Sequence, residues 1–246
     1  MKHWLLIDNS NTRTKFALGG PERLDDWRAR LPTPEITPEA LAGLLDPLEF
    51  DAALVASVVP NAAETIGQYL SPRGPVHFLG SASQLGMEID FPDPSQVGAD
   101  RLANALGVEA RYGCPAIVID FGTAVTFDVI SADPAYCGGV IAPGLGAMTG
   151  YLFRRTALLP QIHLAEPEHV IGKTTEEAML SGAVFGYRGL IRGILHQLHP
   201  EIEGKPVVVA TGGDAALIGE PMPEIDHIDP DLTLEGLRLA AIRNLG

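Results

Sequence analysis

Two aspartates, Asp8 and Asp120, are the residues best placed to do chemistry, because each closes an apolar run and opens a turn of small polar residues. WLLIDNSNTRTKFAL (4–18) and AIVIDFGTAVTFDVI (116–130) share this layout. A short apolar run bounded by turn residues reads as a buried strand, and the renewed alternation after it reads as its hairpin partner. Such a turn offers backbone N–H groups to phosphate, and an acidic strand end suits the metal that travels with phosphate. Asp8 alone reads equally well as a turn residue. The run Asn9, Ser10, Asn11 and Thr12 supplies the donors of a phosphate loop, and Lys15 is either a point charge for phosphate or a solvated strand residue. In the second copy Gly122 permits a tight turn, Thr123 offers a hydroxyl, and Thr126 and Asp128 share one side of the next strand. A third turn, TGGDA (211–215), follows another apolar strand and exposes bare backbone to a base or sugar. Asp100, in VGADR, falls in the first turn of a helix. There it either complements the helix dipole or stays ionised to accept an alcohol proton. Arg101 beside it binds an anionic group or forms a surface ion pair.

These residues need a frame. Strands near 25–30, 52–59 and 76–79 and helices near 38–48 and 61–70 accompany the first hairpin. A helix from 97 to 112 precedes the second, and a helix over 175–198, a strand at 206–210 and an amphipathic helix at 234–245 follow it. Alternation of this kind predicts an α/β protein whose mixed sheets are flanked by helices. Segment 138–150 reads as Gly/Pro-rich. Thr174 with Glu177 forms a capping box. Gly182, Gly186, Gly189 and Gly193 line one face of the helix that follows, as expected where another helix approaches closely, in the same core or in a second subunit.

At 246 residues the chain can bury a large core, and with no linker it is expected to fold as two lobes closing on a cleft. A net charge of −14 argues against nucleic acid and anionic membranes as partners. Two cysteines without a CxxC, and no apolar run of membrane-spanning or signal-peptide character, make the expected location cytoplasmic. Gly172-Lys173-Thr174 imitates the end of a P-loop, but Pro167 stands where its first glycine belongs. His196 and His199 share a helix face without a carboxylate or cysteine cluster, as packing or surface residues do.

Together these motifs resemble the type III pantothenate kinases of the acetate/sugar kinase, heat-shock chaperone and actin superfamily, from end to end of the chain. The first hairpin is similar to that family's Asp-x-Gly-Asn-Thr loop. FPDPSQVGADRLAN (91–104) resembles its Gly-x-Asp-Arg segment, and DFGTAVTFD its Asp-x-Gly-Thr-Ala motif. GGVIAPGL (138–145) and GKTTEEAMLSG (172–182) resemble the segments that follow. The resemblance implies two ribonuclease-H-like lobes, residues 1–114 and 115–246, with the last helix free to pack back on the first. It implies ATP-dependent phosphorylation of pantothenate to 4'-phosphopantothenate, the first step of coenzyme A biosynthesis. Asp8, Asn9, Ser10, Asn11, Thr12, Arg13, Thr14, Lys15 and Thr123 would then bind ATP. Phe91, Gly98, Ala99, Asp100, Arg101 and Thr175 would bind pantothenate, with Asp100 as the base. Asp8 would place Mg2+, directly or through water, and Asp120 a monovalent cation, K+ or NH4+. A homodimer is implied, which would give the glycine stripe a partner. Ser10, Phe91 and Thr174 depart from the family's usual glycine, tyrosine and asparagine. They keep two rivals in view: a non-catalytic nucleotide-binding relative with an accessory or regulatory role, and a sugar or carboxylic-acid kinase of the same superfamily.

Overall fold

Each hairpin seeds a sheet, and the two sheets repeat one strand order. The computed structural model describes residues 2–246. The first sheet holds β1 (Trp4–Asn9), β2 (Arg13–Gly19), β3 (Leu24–Pro32), β4 (Ala52–Ser57) and β5 (Val76–Phe78), in the order β3-β2-β1-β4-β5. The second holds β6 (Glu88–Ile89), β7 (Ala116–Phe121), β8 (Ala124–Ile130), β9 (Ala135–Pro143), β10 (Val207–Gly212) and β11 (His227–Ile228), in the order β11-β10-β7-β8-β9-β6. Without β6 the second sheet matches the first strand for strand. In both, the hairpin is antiparallel and the central strand is parallel to a later strand, β1 to β4 and β7 to β10. The helices are α1 (Pro38–Leu45), α2 (Pro60–Leu70), α3 (Ala99–Tyr112), α4 (Leu145–Arg155), α5 (Thr175–Leu198), α6 (Ala215–Gly219) and α7 (Leu232–Leu245).

Two units divide the chain. One contains residues 2–113, Pro134–Cys137 and Asp231–Gly246; the other contains Cys114–Asp133 and Gly138–Pro230. In the first, Leu5 and Ile7 of β1 and Phe16 of β2 pack with Leu41, Leu45, Ile66 and Leu70 of α1 and α2. In the second, Ile117 and Ile119 of β7, with Phe127 of β8, pack with Val184, Tyr187, Ile191 and Leu195 of α5. Each fully buried aliphatic side chain contributes about 1.5–3 kcal/mol, so these alternating faces hold the strand ends, and their aspartates, in place.

Two stretches differ from what the sequence suggests. Segment 138–150, for all its glycine and proline, is regular: β9 runs through Gly138 and Gly139, at φ 103° and 155°, where the missing side chains interrupt the sequence's alternation, and α4 follows at once. And α7 is not a simple amphipathic helix. It contacts α3, β1 and β4, and it buries Thr233, Glu235 and Arg238 beside its leucines. Thr233 Oγ1 donates to Asn104 Oδ1 at 2.8 Å, and Arg238 bonds both carboxylate oxygens of Glu235 at 2.7 and 3.0 Å. The glycines that permit a close helix crossing lie here. A Cβ on Gly107 would sit 2.5 Å from Leu232 O, and one on Gly236 would strike Ala103 O. On α5, a Cβ at Gly182, Gly186, Gly189 or Gly193 meets nothing within 4 Å. No other part of the described chain packs closely against that stripe.

Candidate active site

In the first unit the turn after β1 is fastened from beneath. Asn9 is buried; its Nδ2 donates to Thr14 Oγ1 at 2.7 Å and its Oδ1 accepts from Ser57 Oγ at 2.6 Å. Thr33 Oγ1 donates to Ser10 O at 2.6 Å and lies 3.0 Å from Thr14 Oγ1. The Asn9 and Thr14 side chains thus serve the turn's own structure, and Asn11, Thr12 and Arg13 are the exposed tip. Asp8 is 3% exposed; Ser10 Oγ donates to its Oδ1 at 2.9 Å, and Lys15 Nζ lies 3.2 Å from its Oδ2. No described residue other than glycine has a positive φ. The strain that a serine in place of the loop glycine would create is therefore absent: Ser10 N–H closes the turn on Arg13 O at 3.3 Å with ordinary backbone.

Asp100 stands in the same unit, close to that turn. Val58, just past β4, donates its N–H to Asn9 O at 3.1 Å, and a Cβ on Gly98 would lie 3.6 Å from Val58 Cγ1. Gly98 is the N-cap of α3 and offers no side-chain cap; Asp100 Oδ1 accepts from the Arg101 N–H at 2.9 Å. The same oxygen lies 2.6 Å from where a Cβ on Gly98 would be, so glycine keeps the space the carboxylate occupies. Ala99 is buried and Phe91 partly exposed. The Arg101 guanidinium sits 5.5 Å from the centre of the Tyr136 ring, a cation–π contact that fixes its position. Tyr136 could not be found from local spacing, since β9 itself was hidden.

In the second unit three turns gather around the end of β7. Gly122 N–H donates to Ala124 O at 3.1 Å, and Gly144 N–H to Thr123 O at 3.1 Å. A Cβ on Gly144 would lie 2.8 Å from the Thr123 carbonyl carbon, so only glycine seats the start of α4 on this turn. Thr123 is exposed. In parallel register Thr211 of β10 faces Asp120, and in antiparallel register Thr126 of β8 faces it from the other side. Gly212, at φ 94°, lies under the carboxylate: a Cβ there would be 2.6 Å from Asp120 Oδ1. The Gly213 and Asp214 N–H groups both donate to Phe121 O, at 2.9 and 3.4 Å. Thr211 is fully buried and its Oγ1 has no hydrogen-bond partner. A carboxylate flanked by hydroxyls over bare backbone suits a hard cation that takes oxygen ligands. Asp8, with both oxygens engaged by Ser10 and Lys15, suits a water-mediated Mg2+ better than a direct one. Among the described residues no cluster of three or more His, Cys, Asp or Glu could hold a metal.

Thr175 opens α5 and is exposed. Thr174 Oγ1 accepts from Glu177 N–H at 3.1 Å, so threonine performs the capping an asparagine would. The return bond of the expected capping box goes one residue further back, from Lys173 N–H to Glu177 Oε2 at 2.7 Å. Gly172 lies against the Glu177–Ala178 backbone, a structural role unlike that of a P-loop. His199 Nδ1 is 2.6 Å from Leu195 O, a satisfied helix-end histidine.

The repeated sheet order and its aspartate-ended central strands define a mixed α/β protein of the actin and sugar-kinase class. Solved structures agree on the fold. An ethanolamine utilization protein, EutJ, from Carboxydothermus hydrogenoformans aligns with TM-score 0.58 at 13% identity, over 97% of this chain and 90% of its own. An inorganic polyphosphate/ATP-glucomannokinase from Arthrobacter sp. strain KM aligns with TM-score 0.50 at 17% identity, over 99% and 100%. Within that class the sequence is more specific. The family model for type III pantothenate kinase matches residues 4–197. A type III pantothenate kinase of Akkermansia muciniphila is 57% identical over 242 residues, covering 98% of this chain and 99% of the relative. That of Methylacidiphilum infernorum is 40% identical over 239 residues, covering 96% and 86%. The chain belongs to the type III pantothenate kinase family.

Proposed function

We propose that this protein transfers the γ-phosphoryl group of ATP to the primary hydroxyl of pantothenate, giving 4'-phosphopantothenate. The observation that carries the reading is the carboxylate of Asp100, held in the first turn of α3 beside the fastened turn of the first hairpin. Phosphoryl transfer through a loose transition state asks for alignment and charge stabilisation more than for a strong base. Asp100 orients the hydroxyl and takes its proton late in the transfer. Arg101, over the Tyr136 ring, meets the anionic end of the substrate, with Gly98, Ala99 and Phe91 beside it, and Thr175 is a further pantothenate-binding residue. The exposed residues 11–13 and the Thr123 hydroxyl bind the ATP phosphates. Asp8 would hold Mg2+ through water, and Asp120 with Thr211 a K+ or NH4+ ion; bound there, the cations would offset phosphate charge. The open glycine face of α5 and the exposed Met148, Tyr151, Leu152 and Phe153 of α4 support a homodimer. Two cysteines without a CxxC fit the reducing cytoplasm as its location. No observation favours either rival reading. Coupled ADP release tests the proposal: pantothenate should stimulate it, and release that pantothenate does not stimulate would overturn it.

A further inference from the structure

Segment 156–174 joins α4 to α5 without helix or strand and delivers Thr175 to the start of α5. A stretch this long with no ladder of its own depends on side-chain contacts for its position. Three sets of contacts follow one another along α5. Gly172 and Lys173 lie against Glu177 and Ala178. Ser181, a turn further on, donates its Oγ to Val170 O at 2.6 Å. Beyond it, Arg188 donates Nη1 and Nη2 to the two oxygens of Glu166 at 2.9 and 2.5 Å. The strap therefore runs back along the helix it feeds.

The last contact differs in kind from a surface ion pair. The Arg188 side chain is 9% exposed and that of Glu166 53%. Besides the fork on Glu166, Arg188 donates Nε to Ile218 O at 3.2 Å and Nη2 to Leu217 O at 2.7 Å, both on α6. A buried guanidinium fixed by carbonyls on one side presents a rigid fork to the carboxylate on the other, a geometry lysine cannot reproduce. The same fork holds the Glu166 carboxyl below its ordinary range, so the clasp persists in mild acid.

We infer that the Arg188–Glu166 pair is a clasp that positions strap 156–174, and through it Thr175, for the acceptor substrate. Glu166 and Arg188 are positioning residues, and the inference rests on the assignment of Thr175 to pantothenate. With the clasp open, the ordered strap becomes a minority state, and apparent affinity for pantothenate falls by its population. The ATP-binding groups at 11–13 and Thr123 lie on other segments and are unaffected.

Glu166→Gln tests this in the full-length protein, because it removes the charge from an exposed carboxylate while keeping its shape. The Michaelis constant for pantothenate should rise about tenfold, with that for ATP and the turnover number unchanged. Hydrogen exchange at 166–173, including the Lys173 amide, should quicken. Arg188→Lys should give the same split. Unchanged exchange, or faster exchange with an unchanged constant for pantothenate, would overturn the clasp. So would a parallel loss of turnover, ATP affinity and melting temperature, which marks a merely structural pair. A wild-type protein inactive on pantothenate would refute the proposed function itself. Failure of the clasp alone leaves wild-type turnover intact, so the two failures are distinguishable.

Discussion

Replacing Asp100 with asparagine separates the two roles its position allows. The carboxylate accepts one backbone hydrogen bond, from Arg101 at 2.9 Å, and an asparagine carbonyl can accept the same bond. What the helix loses is a negative charge in the first turn of α3, where Asp100 is the sole acidic residue. That interaction contributes about 0.3–1 kcal/mol, or a fall of about 2–4 °C in melting temperature at most for a chain of this size. What the reaction loses is its proton acceptor, a drop in turnover of about two to four orders of magnitude, equivalent to about 2.7–5.4 kcal/mol of barrier. The two magnitudes differ enough for one variant to decide. Steady-state turnover at saturating substrates gives the barrier, nucleotide titration gives ATP affinity, and thermal melting gives stability. ATP affinity should barely change. Gly98→Ala probes the same carboxylate from outside, since its Cβ would come within 2.6 Å of Asp100 Oδ1 and push it from its seat; turnover should fall there too. An Asp100→Asn protein keeping more than about a tenth of wild-type turnover would refute the reasoning and leave Asp100 as a helix residue only.

Activity should be low with only Na+ or a bulky organic cation and rise with K+ or NH4+. Thr211→Val should weaken both that rise and the thermal stabilisation K+ confers, and a flat response to cations would remove Asp120 and Thr211 from this role. Because Ser10 has ordinary backbone and bonds Asp8, Ser10→Gly should leave the Michaelis constant for ATP unchanged or higher; a lowered constant would reveal strain the turn does not show. A Cβ at Gly186 meets nothing within 4 Å inside the chain, so Gly186→Leu should disturb a contact between subunits before it disturbs the fold, and light scattering should find a monomer or an insoluble protein. A soluble, active dimer would place the stripe away from the contact between subunits.

The parts of this molecule that could be read in the sequence are those whose signal is local. Apolar runs ending at Asp8 and Asp120, the Thr174 cap and the long period of α5 each declare themselves within a few residues. β9 and α4 do not, because Gly138 and Gly139 break the alternation and the apolar residues of α4 are left exposed. The α5 glycines suggest a close helix crossing, yet the crossing within the chain is made by Gly107 and Gly236, far apart in sequence. Arg188 and Glu166, or Thr211 and Asp120, meet only after the chain has folded, and no spacing rule joins them.

The duplicated frame shows how one position is turned to two uses. Asp8 and Asp120 end equivalent central strands, so their cross-strand neighbours can be compared one for one. Asp8 faces Lys15 on the antiparallel side and Ala56 on the parallel side. Asp120 faces Thr126 and Thr211 in the same two places. A lysine beside the first carboxylate supplies the positive charge it needs in a buried setting, which leaves it suited to hold water and order a loop. Two threonines beside the second add oxygen donors and no charge, and Gly212 removes the side chain that would otherwise fill the space under it. Oxygen donors around the Asp120 carboxylate suit a hard cation. The difference between the two sites therefore lies in the strands flanking each aspartate, while the aspartates themselves and the strands that carry them are alike.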